Sequence, residues 1–335
     1  MRVAIAIGVL VGCRAPIGDG SVMVDDLDLA GPIAKPEVVD AATRCTADDP
    51  LGEASLRTRL AILGDEGLAG RPPGSAGDRW IRAHVRTRFR CLGLEPGGDD
   101  GSYDQVFENE FGVATANVIG YLPGRDPQVG AEIVVIGAHH DHVGMRDGKI
   151  YPGANDNASG VTGVVALAEA IAALPVRPRR TIAFVAFGSE ENGIEGSAYF
   201  VNQSPKPLPI QRVVYMINLD MIGSYASKNE VWAFGTFRNL PAREILDALD
   251  HRGLTIQIGA SSGQSDHVPF CKREIPYVFW WTPDGRCYHK PCDTVDKIDF
   301  PSMSAISRVA FDLATRLADA PVDLAASRTR HGCRP

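Results

Sequence analysis

Apolar positions along the chain follow two periods, and their alternation predicts most of the elements. At 53–63, Leu56, Leu60 and Leu63 recur at helical spacing, and 78–92 returns to the same pattern. From residue 115 the pattern changes to short unbroken apolar runs separated by turns. Four of these predict buried strands: EIVVI at 132–136, TIAFVAF at 181–187, VVYMINL at 213–219 and YVFWW at 277–281. Between the first two lies a helix over 159–174, with Val161, Val164, Leu167, Ala168, Ile171 and Leu174 on one face. A last helix fits 303–317. Strands alternating with helices predict an α/β fold, with a mostly parallel mixed central sheet covered by helices on both faces.

The two ends of the chain read differently. Arg2 precedes an apolar run from Val3 to Val11, the length of a signal-peptide core and too short to span a bilayer. The run ends in LVGC, which resembles a bacterial lipoprotein processing box with Cys13 as the residue that would carry lipid. Residues 14–50 are rich in Gly, Pro, Ala and Asp and read as a tether. That division leaves 51–320 as a single catalytic domain and 321–335 as a tail, in a protein of the bacterial cell envelope or secreted from it. Seven cysteines are present. With Cys13 set aside, Cys45, Cys91, Cys271, Cys287, Cys292 and Cys333 form an even set, which an exported chain uses for disulfides. Cys287 and Cys292 are the closest pair along the chain and the first candidates for a bridge. The formal net charge of −7 argues against a nucleic-acid partner, which would need a basic face.

Candidate chemistry lies at the strand ends. Ligand sites in open α/β sheets lie beyond the carboxyl ends of strands. EIVVI leads into GAHHDHVG, with His139, His140, Asp141 and His142, and then into GANDNASG, with Asp156. TIAFVAF leads into GSEENGIEGS, with Glu190 and Glu191 adjacent. VVYMINL is followed by Asp220, and YVFWW by a loop reaching Tyr288 and His289. Imidazoles and carboxylates together suit Zn²⁺, and Mn²⁺ or Co²⁺ are compatible. Their number exceeds the three protein ligands of one catalytic zinc and predicts a two-metal site.

In this order the motifs GAHHDH, GANDNASG, EENGIEGS, INLDMIG and YHKPCDTVDKID resemble the co-catalytic di-zinc exopeptidases. That family includes bacterial leucine-type aminopeptidases, glutamate carboxypeptidase and glutaminyl cyclase. AGRPPGSAG and TANVIGYLPG add to the resemblance, which spans about Leu56 to Asp299. It implies a zinc-exopeptidase, phosphorylase/hydrolase-like fold and two Zn²⁺ per chain. The implied ligands are His139, Asp156, Glu191, Asp220 and His289. Asp156 would bridge both ions, and the Asp156–Asn157 peptide would be cis. Asp141 would orient His139 from behind. Glu190 would be the general base acting on a metal-bridging hydroxide, and Tyr288 would stabilise the tetrahedral oxyanion.

The activity this implies is a metallo-aminopeptidase that removes N-terminal residues from peptides. A related carboxypeptidase or dipeptidase is the alternative, as is glutaminyl cyclase, whose branch carries a longer insertion after the glutamate pair. A receptor-like relative without metals would lack ligands, whereas every ligand position here is filled. His140 and His142 lie outside the family's ligand pattern and read as structural or supporting residues. Asp266 and His267 read as bracing the pocket, and Asp293 and Asp296 as partners of His289 or as turn residues. Arg71 is a candidate for the rim of the site.

Overall fold

A computed structural model describes residues 45–237, 240–260 and 265–326. In chain order the strands are β1 (Glu95–Pro96), β2 (Asp104–Glu108), β3 (Ala114–Leu122), β4 (Ile133–His139), β5 (Met145–Arg146), β6 (Lys149–Ile150), β7 (Thr181–Phe187), β8 (Val213–Leu219), β9 (Val231–Phe234), β10 (Ile256–Gly259) and β11 (Tyr277–Trp281). The helices are α1 (Glu53–Leu63), α2 (Ala76–Cys91), α3 (Gly160–Ala172), α4 (Glu195–Asn202), α5 (Leu240–Asp247), α6 (His267–Lys272) and α7 (Phe300–Asp319).

Nine strands form one sheet in the order β1-β3-β7-β4-β8-β11-β9-β10, with β2 also paired to β3. The centre, β7-β4-β8-β11, is parallel. Antiparallel pairs flank it, β3 on β7 at one side and β9 on β11 at the other. The expected mixed, largely parallel sheet is therefore present. The three strands predicted from the runs at 181–187, 213–219 and 277–281 have those same bounds, and the helix at 53–63 likewise.

Strand alternation divides the apolar side chains between two cores. Val134, Ile136 and Ala138 of β4 face one side, where α1, α2, α3, α5 and α7 pack through Leu60, Val85, Val164, Leu246 and Ile306. Ile133 and Val135 face the other, against Phe200 of α4 and Phe270 of α6. Burial on both faces explains why the central strands read as continuous apolar runs. Parallel register brings the carboxyl ends together: His139 at the end of β4 lies beside Phe187 at the end of β7, and Gly137 beside Asn218 of β8. The loops that leave these strands therefore converge.

Cys45 is bridged to Cys91, and Cys287 to Cys292 as the chain spacing suggested. Cys271 is disulfide-bonded too. The first of these bridges fastens the chain at 45–50 to α2. Cys13, Cys333 and most of the expected tether lie outside the described residues. Among the described residues no helix is long and apolar enough to cross a membrane.

Candidate metal centre

Four loops meet at the carboxyl edge of the sheet, and hydrogen bonds between them fix the site. Asp141 is fully buried and accepts from the backbone N–H groups of Glu190 (3.0 Å) and Glu191 (3.2 Å). It thereby ties the loop after β7 to the loop after β4. Asp293 accepts from the N–H groups of Asn155 (2.8 Å) and Asp156 (3.0 Å), and so ties the His289 loop to the Asp156 turn. The Asp156–Asn157 peptide is cis, as the resemblance implied. The Asn157 amide donates to Leu219 O (2.9 Å) and accepts from Met221 N–H (3.2 Å), joining the turn to the end of β8. His289 itself has φ 51°, in the left-handed region, and the neighbouring site residues Ser189 and Met221 share that region. Such conformations concentrate where structure is held for function.

On this scaffold the predicted residues come together in two groups. His139 Nε2 lies 3.4 Å from Asp156 Oδ1 and 3.5 Å from Asp220 Oδ1. His289 Nε2 lies 3.0 Å from Asp156 Oδ2 and 3.1 Å from Glu191 Oε2. Each group therefore takes a different oxygen of Asp156. Tetrahedral ligands about 2.0–2.1 Å from a zinc stand about 3.3 Å from one another, so both groups have the spacing of a coordination shell. Asp220 Oδ1 is buried and has no hydrogen-bond partner among the described residues, while its Oδ2 accepts from Ser265 Oγ (2.7 Å). An open acceptor facing the other donors is what a cation would use.

The electrostatics point the same way. Burial resists protonation of His139, but Glu190, Asp220 and Asp156 drive its pKa well above the ordinary histidine value. Burial raises the Glu190 carboxyl well above the usual carboxylate range, and Asp266, Asp220 and Glu191 add to the effect. Burial works against ionised Glu191 as well, yet bonds from His142 and His289 hold it down to about 2. The site carries an excess of buried carboxylate, and among the described residues none of the side chains lining its cavity is Lys or Arg. That cavity, of about 240 Å³, is lined by His139, Asp156, Glu190, Glu191, Asp220 and His289 on one side. Met221, Phe279 and Trp281 provide an apolar wall, and Asp284 and Tyr288 complete the lining. Tyr288 is about half exposed, and its ring stacks on His289 at 4.0 Å.

Other readings are sharpened. Arg71 is not at the rim: it is buried beneath the site, where its guanidinium donates to the carbonyls of His140, Leu63, Pro152, Gly153 and Asp156. It holds the backbone that presents Asp156. Asp293 supports Asp156 rather than His289, and Asp296 is an exposed turn residue paired with Thr294 and Lys297. His140 is held by Ala116 O (3.1 Å), and His267 stacks on Tyr277 and Phe279, both supporting roles as expected. His142 is closer to the centre than its reading as a supporting residue required, with Nδ1 2.7 Å from Glu191 Oε1. The HHDH run placed three imidazoles near the site but gave no signal for which of them would turn to Glu191.

Comparison with known proteins agrees with this geometry. The model of peptidase family M28 matches residues 117–314, and this stretch contains every residue of both groups. Leupeptin-inactivating enzyme 1 of Streptomyces exfoliatus is 27% identical over 318 residues, covering 87% of this chain and 67% of its own length. Aminopeptidase YwaD of Bacillus subtilis is 31% identical over 187 residues. That alignment covers 50% of this chain, which thus spans 37% of that relative. The solved zinc aminopeptidase BSAP of Bacillus subtilis superposes with a TM-score of 0.66 at 16% identity, over 83% of this chain and 98% of that one, a likeness of fold.

Proposed function

The chain belongs to peptidase family M28, and from that premise we propose that it is a zinc-dependent aminopeptidase, releasing N-terminal residues from peptides with two zinc ions per chain. The observation that carries this reading is the shared carboxylate, with Asp156 Oδ1 facing His139 and Oδ2 facing His289. One zinc would be held by His139, Asp156 and Asp220, the other by His289, Asp156 and Glu191. Zinc bound there supplies Lewis acidity, which polarises a substrate carbonyl and acidifies water.

The protein's own groups do the rest. Glu190 stands in neither donor group, and its Oε2 lies 3.9 Å from His139 Nε2, at the edge of the cluster. Its raised affinity for protons suits it to take a proton from the attacking water on Oε2 and deliver it to the leaving amine nitrogen. Asp141 keeps Glu190 and Glu191 in their separate positions by accepting from both backbone amides. Tyr288 lines the cavity beside His289. Burial, with Asp156 and Glu191 nearby, raises its phenol pKa above the ordinary value, so it stays protonated and can donate to the carbonyl oxygen as that oxygen gains charge. The carboxylates at the cavity floor attract the free α-ammonium group, and Met221, Phe279 and Trp281 suit an apolar side chain next to it.

The deciding experiment offers the zinc-loaded protein a leucyl anilide and its N-acetylated form. We expect cleavage of the free form alone, abolished by a chelator and restored by Zn²⁺. Equal cleavage of the blocked form would overturn the aminopeptidase reading. Export fits the same picture, since the bridged cysteines belong to an oxidising compartment. We include Cys13 as a lipid anchor in this proposal. Labelling with a radioactive fatty acid should depend on Cys13, and labelling of Cys13→Ala would remove the anchor from it.

A further inference from the structure

His142 is fully buried, yet it has no part in the mechanism above. Its Nδ1 lies 2.7 Å from Glu191 Oε1 and 3.9 Å from Asp156 Oδ2. Its Nε2 is buried and has no hydrogen-bond partner among the described residues. The ring packs against Gly153, where a Cβ would come within 2.5 Å of the imidazole. Gly153 has φ +63°, so both its conformation and this close approach favour glycine. The ring is thereby held in one plane, edge-on to His289 with centroids 5.5 Å apart.

The tautomer follows from these contacts. An ionised carboxylate only accepts hydrogen bonds. A proton on Nε2 would leave a buried donor unpaired and set the Nδ1 lone pair against a carboxylate oxygen at 2.7 Å. A proton on Nδ1 pairs the donor with Glu191 and leaves only a lone pair at Nε2. Nε2 is unpaired in either case, so the contact at Nδ1 decides: only Nδ1–H turns two acceptors 2.7 Å apart into a hydrogen bond, and the second arrangement prevails. The two oxygens of Glu191 then have different tasks. Oε1 receives His142, and Oε2 is left to face His289 Nε2 at 3.1 Å.

From this geometry we infer that His142 is a positioning residue that donates from Nδ1 to Glu191 and turns Glu191 into a one-oxygen zinc ligand. The inference rests on the two-zinc reading. It assigns a task to the second imidazole of the HxDH run that the ligand set itself does not use.

Zinc content by elemental analysis and zinc affinity by chelator competition test it, with melting of the chelated protein as the check on folding. His142→Leu fills the space but donates nothing. It should still take two zinc ions at saturation, with the weaker one held 10–100-fold less tightly, the usual cost of losing a ligand's outer partner. His142→Asn keeps an N–H donor near the Nδ1 position and should bind zinc close to wild type. Should the Leu variant fail to fold, His142→Ala takes its place. An unchanged affinity in the donor-free variant would make His142 a packing residue and overturn the inference. So would complete loss of one ion even at saturating zinc in both variants, since His142 would then be a direct ligand. Wild-type protein that takes up no zinc would overturn the two-zinc reading itself and the inference with it.

Discussion

Two buried charge clusters in this protein have opposite character. At the carboxyl edge of the sheet, Asp156, Glu190, Glu191 and Asp220 converge on His139 and His289, and an open cavity reaches them. Among the helices packed on the sheet, Glu169 of α3 is buried between two arginines. Arg59 of α1 bonds it directly, and Arg88 of α2 lies 3.3 Å away. Backbone adds further bonds there: Arg88 donates to Cys45 O (2.6 Å), Arg59 to Pro50 O (2.8 Å), and Ala47 N–H to Glu169. The second cluster pairs its one carboxylate with two guanidiniums and is closed by the segment that the Cys45–Cys91 bridge fastens. The first has more carboxylate than its neighbours offset, and it stays open. Buried charge therefore marks function here when a cavity reaches it, and structure when it is paired and sealed.

Substitutions at the two clusters should accordingly separate activity from stability. The largest effect is expected from Glu190→Gln. It should lower kcat by about 10²–10⁴, the range for removing a general base. Zinc content and melting temperature should stay near wild type, because Glu190 belongs to neither donor group. Near-normal turnover would show that another group carries the proton. Glu169→Gln should do the reverse. Leaving two buried guanidiniums without their carboxylate costs roughly 3–5 kcal/mol. Denaturant unfolding should record that loss, while zinc stoichiometry and kcat of the surviving folded protein stay unchanged. A fall in zinc content would mean that the clusters are coupled.

Removing the Cys45–Cys91 bridge with a double Ala substitution tests the seal. The cysteines are 46 residues apart, and loop entropy alone gives an expected loss of about 4 kcal/mol as an upper value. The cost should shrink in the Glu169→Gln background, since the arm then covers a cluster that is already broken. Strict additivity would show that the arm stabilises the fold independently of Glu169.

The two clusters also differ in how far the amino-acid sequence reveals them. The candidate metal centre was partly legible because His139, Glu191 and Asp220 stand at or within a few residues of the ends of apolar runs, and runs of that kind are strands buried on both faces, whereas Asp156 and His289 lie further along in loops. The cis peptide and the convergence of the candidate ligands followed from the motifs. The Glu169 cluster left no comparable trace. Arg59, Arg88 and Glu169 sit on three separate helices, and their meeting depends on how α1, α2 and α3 cross. The Cys45–Cys91 pairing was one of several available to six cysteines. The flanking strands β1, β2, β9 and β10 are short or at the sheet margins, where half-exposed positions weaken the apolar run. Arg71 gave a false direction because a loop arginine next to two prolines resembles a surface residue. Its five carbonyl partners come from segments that only the fold assembles.

The smallest effect expected lies at His84, next to the sealed cluster. It is buried against Trp80, with ring centroids 5.3 Å apart. Burial, together with Arg88 and Arg59, holds its pKa down to about 3, against an ordinary value of 6.5. In the unfolded chain His84 therefore binds a proton below about pH 6.5, whereas in the folded protein it stays neutral until about pH 3. The unfolded state binds more protons in that window, so the contribution of His84 to stability is complete above pH 6.5 and is lost as the pH falls towards 3. One proton corresponds to a slope of about 1.4 kcal/mol per pH unit. His84→Phe keeps the aromatic packing and removes the titration. Urea unfolding of chelated protein between pH 4.5 and 6.5 should give the variant a shallower pH dependence by about that slope. Identical slopes for the two proteins would mean that His84 is protonated in the folded state and that the cluster beside it holds less positive charge than its two arginines imply.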